Sequence, residues 1–280
     1  MVCIKCQSLR RVSRIVIATS ILCHLVASGI AVEAADGAAF PEKFVLRISS
    51  YGVRDADTDL AVLSSDNLGT GFSFVNDLGG DESLTIPRID GHYRINDLHR
   101  IEFASFRIER DGRNRLDIDL DIGNQSYVAG DTVISDINYE LLKIGYAYSF
   151  YRSQTVELSA TAGLNATDYE FEYRLVDGSS AGSSRAVGVL PMFGIRMAYA
   201  IDSRWSLHYL SEVLFVEVGD EEGSFQNYEL AIRYRFDNSF MLGFGLTRFS
   251  VDLTAKDSEW NGRIADTHQG IMLSASYFFI

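Results

Sequence analysis

The chain has 280 residues, a formal charge of −13 and three cysteines, all within the first 23 positions. Acidity of this size excludes broad electrostatic binding to nucleic acid. Three prolines against 23 glycines, with 14 tyrosines and 17 phenylalanines, suit a single closed β-sheet.

Residues 1–34 have the build of a cleaved signal peptide. Lys5, Arg10, Arg11 and Arg14 form a basic start, an apolar stretch follows, and small residues allow cleavage after Ala34 or Ala31. Removing this segment takes away four basic residues and Glu33, so residues 35–280 carry −16. They also carry no cysteine, which excludes disulfides and thiolate metal sites. Cys23 follows Leu22 where a lipoprotein signal needs a small residue, so lipidation is not expected. No second apolar run of membrane-spanning length occurs, so a membrane would have to be crossed by strands.

Ten strands are predicted, at 44–53, 86–95, 100–110, 135–150, 155–175, 186–201, 205–218, 225–236, 240–253 and 264–279. Short polar turns at Asn96 to His99, Tyr151 to Gln154, Asp202 to Arg204 and Asp237 to Ser239 alternate with long connections near 54–85, 111–134, 176–185, 219–224 and 254–263. In a membrane barrel the short turns are periplasmic and the long loops extracellular, which would put both termini in the periplasm. The predicted architecture is all-β: a closed antiparallel transmembrane barrel over residues 35–280, with ten strands and a range of eight to twelve. A soluble antiparallel barrel or sandwich is the alternative.

An Arg or Lys facing lipid at mid-bilayer costs roughly 2 to 4 kcal/mol. The parity holding Arg88, Asp90, His92, Arg94, Glu140, Lys143, Glu157, Arg196, Glu229, Arg233 and Arg235 is therefore assigned to the lumen. Glu102 and Glu212 join it, and the signs nearly balance. Tyr93, Tyr148, Phe150, Tyr199, Trp205, Tyr234, Phe236 and Phe240 lie near short turns, as an interfacial girdle would.

Two strands change phase, at Leu141–Leu142 and after Ala166, which predicts a bulge or exit from the bilayer. Pro87 and Pro191, each about ten residues from a short turn, are placed at the outer rim. Thr70 to Val75 is strand-like and precedes a turn at Asp77-Leu78-Gly79-Gly80. This segment reads as a hairpin above the membrane, an inward-folded loop or extra wall strands. Asp111-Gly112 reads as a hairpin turn, followed by alternating Asp117, Asp119 and Asp121.

Asp55, Asp57 and Asp59 have calcium-loop spacing, but Leu60 replaces the required Gly and Asp66 the closing Glu, so a solvated acidic loop is expected. No metal, cofactor or catalytic residue is predicted. Envelope hydrolysis at the outer rim would need His with Asp or Ser. Ser206 and His208 are at the wrong end and His92 and His99 lie near a turn, which leaves His268 beside Asp266 as the pair to mutate.

The last strand alternates Ile271, Leu273, Ala275, Tyr277 and Phe279 with Met272, Ser274 and Ser276. It resembles the final strand of bacterial outer-membrane β-barrels, which ends in an aromatic assembly signal. Tyr277 and Phe279 would supply that signal, although Ile280 makes the aromatic penultimate. The strand order, with the hairpin from Tyr93 to Phe106, resembles the small OmpA-like and OmpW-like barrels. That resemblance implies a Gram-negative outer-membrane location, partners in outer-membrane lipid, lipopolysaccharide and the barrel-assembly machinery, and no catalytic motif. OmpW-like barrels are associated with passage of small hydrophobic molecules. The role expected is structural or in surface interaction, with an extracellular partner unspecified. A narrow channel for small solutes or ions is the alternative, and an outer-leaflet hydrolase is a third reading.

Overall fold

A computed structural model describes residues 40–62, 71–218, 221–236, 239–256 and 261–280. The leader assigned to 1–34 lies outside the described residues, as do Asp66 and Thr70. The strands are β1 (Phe44–Val62), β2 (Gly71–Ser73), β3 (Leu84–Arg94), β4 (His99–Arg115), β5 (Leu120–Ile122), β6 (Gln125–Tyr127), β7 (Thr132–Arg152), β8 (Val156–Leu175), β9 (Ala181–Ala200), β10 (Trp205–Val218), β11 (Glu221–Arg235), β12 (Phe240–Lys256) and β13 (Asn261–Phe279). All ten predicted strands are present, and several extend beyond their predicted ends. They pair antiparallel in the order β1-β3-β4-β7-β8-β9-β10-β11-β12-β13, and β13 returns to β1 from Phe44↔Phe279 to Val62↔Gly262. The result is a closed ten-stranded barrel.

The short turns share one chemistry, a side-chain oxygen that accepts backbone N–H groups and so bends the chain locally. Asn96 Oδ1 accepts from Leu98 and His99 at 3.0 Å, and Ser153 Oγ accepts from Val156 at 3.0 Å. Asp202 Oδ1 accepts from Arg204 and Trp205 at 2.7 Å, and these backbone donors hold its carboxyl below the ordinary value. At the fourth turn, 237–238 lie outside the described residues, and Phe236 N donates to Phe240 O at 3.0 Å across it.

Along β7 and β8 the register runs unbroken from Val133↔Leu175 to Ser149↔Ser159, so side-chain direction alternates without a slip. Polarity does not. On β8 the outward series Leu158, Ala160, Ala162, Leu164, Ala166 gives way to Asp168, Glu170, Glu172, Arg174, while the inward series passes from Glu157, Ser159, Thr161 to Tyr169, Phe171, Tyr173. On β7, Lys143 points inward and Ile144 and Leu142 outward, then Leu141, Tyr139 and Ile137 point inward and Glu140 outward. The phase change predicted at Leu141–Leu142 is therefore a change of surroundings at constant register. The half next to the short turns has an apolar exterior and a charged lumen. The other half has an apolar interior and a polar exterior.

The apolar exterior includes Ile48, Ile89, Leu142, Ile144, Phe193, Phe244 and Leu273, with Tyr93, Tyr148, Phe150, Tyr199, Trp205, Phe236 and Phe240 exposed near the turns. An exposed apolar surface of this extent is a lipid-facing one. In the other half, Phe72, Phe74, Leu78, Leu120, Ile122, Tyr127, Ile137, Tyr139, Phe171 and Tyr173 form one buried cluster, and the exterior carries the ion pairs Arg107–Glu140, Arg185–Asp168 and Arg263–Asp252.

One sequence expectation changes and one open reading narrows. Asp111-Gly112 is not a turn, because both residues lie inside β4 and pair with Asp136 and Ser135. Gly112 serves close approach instead: a Cβ there would meet Ser135 Oγ at 2.6 Å and Leu78 O at 2.8 Å. Of the three readings open for the segment around Thr70 to Gly80, the described part, Gly71 to Gly80, matches the inward-folded one. β2 pairs with the far end of β1, Gly80 bridges to Gly112, and Phe72, Phe74 and Leu78 fill the barrel top. Asp117 and Asp119 precede the short β5, and Asp119 and Asp121 accept from Ala129 N and Ser126 Oγ to fix that arm.

Pairing is incomplete at two seams. The β3–β4 ladder stops at Arg88↔Phe106, and the β9–β10 ladder stops at Phe193↔Val213. Pro87 stands just beyond the first stop and Pro191 two residues beyond the second; Thr85 follows Pro87 outward, whereas exposed Val189 and Val187 continue the apolar exterior past Pro191.

The boundary is testable with one substitution on each side of it. Ile144→Arg should cost roughly 2 to 4 kcal/mol of folding free energy in lipid vesicles, and Glu140→Arg less than about 1 kcal/mol. Denaturant unfolding measures both, and equal costs would remove the boundary.

Candidate functional site

The charged lumen is built from parity. Strands that offer apolar residues to lipid must turn the intervening positions inward, and a polar residue there is stable only when paired. Arg47 of β1 sits between the lipid-facing Leu46 and Ile48; its Nη2 lies 2.7 Å from Asp90 Oδ2 and its Nη1 3.1 Å from Glu229 Oε1. Arg88 lies 3.2 Å from Asp90 and donates to Tyr51 OH at 2.8 Å. Arg94 and Arg100 both reach Glu157, at 2.9 and 3.1 Å, and Ser149 Oγ donates to the same carboxylate at 2.6 Å. Arg100 and Arg196 share Glu102, each at 2.9 Å. Lys143 pairs with Glu212, and Asn227 Nδ2 donates to Glu212 at 3.1 Å. Arg233 approaches Glu229 at 3.3 Å.

The short-turn mouth of this lumen is stoppered by the residues before β1. The Phe40 ring stands edge-on to His208 at 5.6 Å, Arg152 Nη2 donates to Phe40 O at 2.6 Å, and Glu42 pairs with Arg235. Arg152 also pairs with Asp97 at 2.8 Å. Above the stopper lies a cavity of about 90 Å³ whose lining includes Arg47, His92, Arg196, His208 and Arg233.

Of the charges assigned to the lumen by parity, Arg88, Asp90, Arg94, Lys143, Glu157, Arg196, Glu229, Arg233 and Arg235 meet there, with His92. Glu140 does not: it is on the outer face, 3.4 Å from Arg107, because the strand has left the apolar belt by that position. Arg47, Arg100, Arg152 and Glu42 are additions. Arg47 was legible from its apolar neighbours; Glu42 was not, since it precedes any strand pattern.

The histidines are also placed. His268 Nε2 lies 2.7 Å from Asp266 Oδ2, and Asp266 Oδ1 accepts from Thr58 Oγ1 at 2.6 Å, but the pair is buried inside the barrel, with Phe249 stacked on the imidazole. Ser206 Oγ is 2.9 Å from His208 Nε2; the other ring nitrogen faces Arg233 at 3.4 Å, where a catalytic triad needs a carboxylate. Asp57 and Asp59 lie on the outer side of β1 as part of a strand, not a loop. Among the described residues no three His, Cys, Asp or Glu side chains converge as a metal site. At the terminus, Tyr277 and Phe279 face outward, and Phe279 stacks on Phe44 with centroids 5.2 Å apart.

No protein-family model matches the chain, and no curated protein matches its sequence. Solved structures do. The chain is similar to the outer membrane protease OmpT from Escherichia coli, at 9% identity over 88% of this chain and 99% of that one, with a TM-score of 0.56. Weaker likenesses are to the transport unit of the autotransporter AIDA-I from Escherichia coli (7% identity, 94% and 97% covered, TM-score 0.45) and to Ail of Yersinia pestis (11%, 85% and 99%, TM-score 0.37). At such identity the likeness concerns the fold, which is that of an outer-membrane β-barrel.

The network makes a stability prediction. Glu157→Ala leaves Arg94 without an ion-pair partner and Arg100 with Glu102 alone, and should destabilise the barrel by roughly 3 to 5 kcal/mol, as breaking buried pairs does. Arg185→Ala on the exposed face should cost less than about 1 kcal/mol. Unfolding of both variants in the same detergent checks the contrast.

Proposed function

We propose that this chain is an integral outer-membrane barrel of a Gram-negative cell, with its short-turn end in the periplasm. Its role is non-catalytic, and it works through the part of the barrel that rises beyond the membrane. The observation carrying this reading is the inversion of polarity: beyond the apolar belt the strands continue as a water-facing barrel with an apolar core. Such a core closes the lumen to water and holds a rigid platform for contacts at the cell surface. The surface it offers is polar and ion-paired, and the arm of β5 and β6 with Asp117 and Asp119 exposed stands on it. Tyr277 and Phe279, facing outward at the chain end, would be read by the barrel-assembly machinery, and the apolar belt would contact outer-membrane lipid and lipopolysaccharide.

A narrow channel is the second reading, favoured by the charged cavity behind the Phe40 stopper. The buried placement of Asp266–His268 and the Arg233 neighbour of His208 count against a hydrolase.

The test is single-channel recording of residues 35–280 in a planar bilayer, with insertion verified by a change of gel migration on boiling. Silence is the expected result. Steady unitary steps would overturn the closed-platform reading in favour of the channel, and hydrolysis of envelope lipid by the same preparation would overturn the non-catalytic one.

A further inference from the structure

The lumen charges do not balance. Among the described residues, Arg235 and Lys143 have partners of their own in Glu42 and Glu212, and Arg152 has Asp97, although its Nε also lies 3.6 Å from Glu157. The remaining six arginines, Arg47, Arg88, Arg94, Arg100, Arg196 and Arg233, share four carboxylates, Asp90, Glu102, Glu157 and Glu229. Two positive charges are left over. Guanidinium groups do not shed protons at any working pH, so the excess cannot be relieved by neutralisation. Enclosed by a lipid-facing wall, it calls for a counter-charge.

The geometry says where that charge would sit. All six arginines line the one 90 Å³ cavity. Several of their donors have no partner: Nε of Arg94, Arg196 and Arg233 makes no hydrogen bond, and Arg94 is only 6% exposed. Arg233 has the longest ion-pair distance of the set, 3.3 Å to Glu229, and its Nη1 lies 3.4 Å from His208. His92 Nε2, on the same lining, is also unpartnered. Arginine forks carrying spare N–H groups match the oxygens of a tetrahedral anion.

Size narrows the ligand further. The cavity's volume of about 90 Å³ is several times the roughly 10 to 15 Å³ that a single water needs. An inorganic oxyanion of five heavy atoms is the simplest ligand of that size.

We infer that the lumen is a binding site for one small divalent oxyanion of the phosphate or sulfate class, held against Arg196 and Arg233. The anion neutralises the two excess charges, takes up the free Nε donors and enters from the short-turn mouth beside Phe40. The site is independent of whether the barrel conducts.

Calorimetric titration of sulfate, and separately of inorganic phosphate, into the detergent-folded chain at constant ionic strength in chloride tests this. The expected result is saturable binding of one anion per chain, with affinity reduced at least tenfold in the double variant Arg196→Gln/Arg233→Gln and unchanged in Arg185→Gln, whose side chain is on the outer face. Should the double variant fail to fold, Arg233→Gln alone is the probe, with at least a threefold loss expected. Heats indistinguishable from chloride dilution, or an affinity that neither lumen variant changes, would overturn the inference.

Discussion

The structure depends on one constraint: a β-strand cannot change which way its side chains point without breaking register. β7 and β8 keep their pairing for some seventeen consecutive residue pairs while the medium around them changes from lipid to water. Because direction is fixed by the pleat, composition must carry the change, and it does so by exchanging the chemistry of the two faces. Leu141 and Leu142 mark the crossover. Leu142 is the last of its series to face the apolar exterior and Leu141 the first to face the apolar interior, so two adjacent leucines satisfy two different surroundings.

The charged lumen follows from the same rule. Once the exterior is committed to lipid, a narrow barrel must fill its inside with the alternate residues, and here these are arginines and carboxylates. Buried ion pairs are weak evidence for stability, since desolvation offsets much of their attraction. Their value in this fold is geometric. Arg47 ties β1 to β3 and β11, Arg94 ties β3 to β8, and Arg196 ties β9 to β4, so most of these contacts cross the lumen between strands that are not neighbours in the wall. The wall's hydrogen bonds fix neighbours, and the lumen pairs fix the cross-section.

Much of this was legible in the sequence, because alternation, turn residues and aromatic girdles are local signals. All ten strands, and the lumen parity of Arg88, Asp90, Arg94, Arg196, Glu229 and Arg233, could be found by a period of two. Parity misplaces Glu140 for a physical reason: charge implies lumen only inside the apolar belt, and β7 has left it by that position. Asp111-Gly112 misled because the same dipeptide that makes a hairpin turn also lets a second segment approach closely. Glu42 and the Phe40 stopper were invisible, since a tail folded into a mouth has no periodicity. The excess of arginine was hidden for the same reasons, with Glu140 counted in and Arg47 and Arg100 left out.

The two wall prolines show how far the membrane dictates the chain. In β3, Arg94 N donates toward β1 and Ile95 N toward the His99 end of β4, so the odd-numbered N–H groups of that strand face β4. In β9, Ala200 N donates toward β8 and Ile201 N toward β10, so there too the odd positions face the following strand. Pro87 and Pro191 are both odd, and each therefore lacks the donor that its next ladder bond would require. The β3–β4 ladder ends at Pro87, next to the polar outer face of Arg107 and Glu140, while the β9–β10 ladder ends at Phe193 with exposed Val189 and Val187 still beyond it. Within lipid an unpaired backbone group has no water to turn to, which is why spanning strands must be fully paired. Beyond it the cost falls, and the chain can open the wall. At the first seam it fills the opening from its own length: Gly80 bridges to Gly112, Arg110 Nη2 donates to Asp81 O at 2.8 Å, and Asn114 Nδ2 donates to Asp77 O at 3.0 Å. The long first excursion thus supplies β4 with partners where Pro87 ends its pairing with β3, which itself stays paired to β1, and its Phe74 and Leu78 supply the apolar core that the inverted half requires.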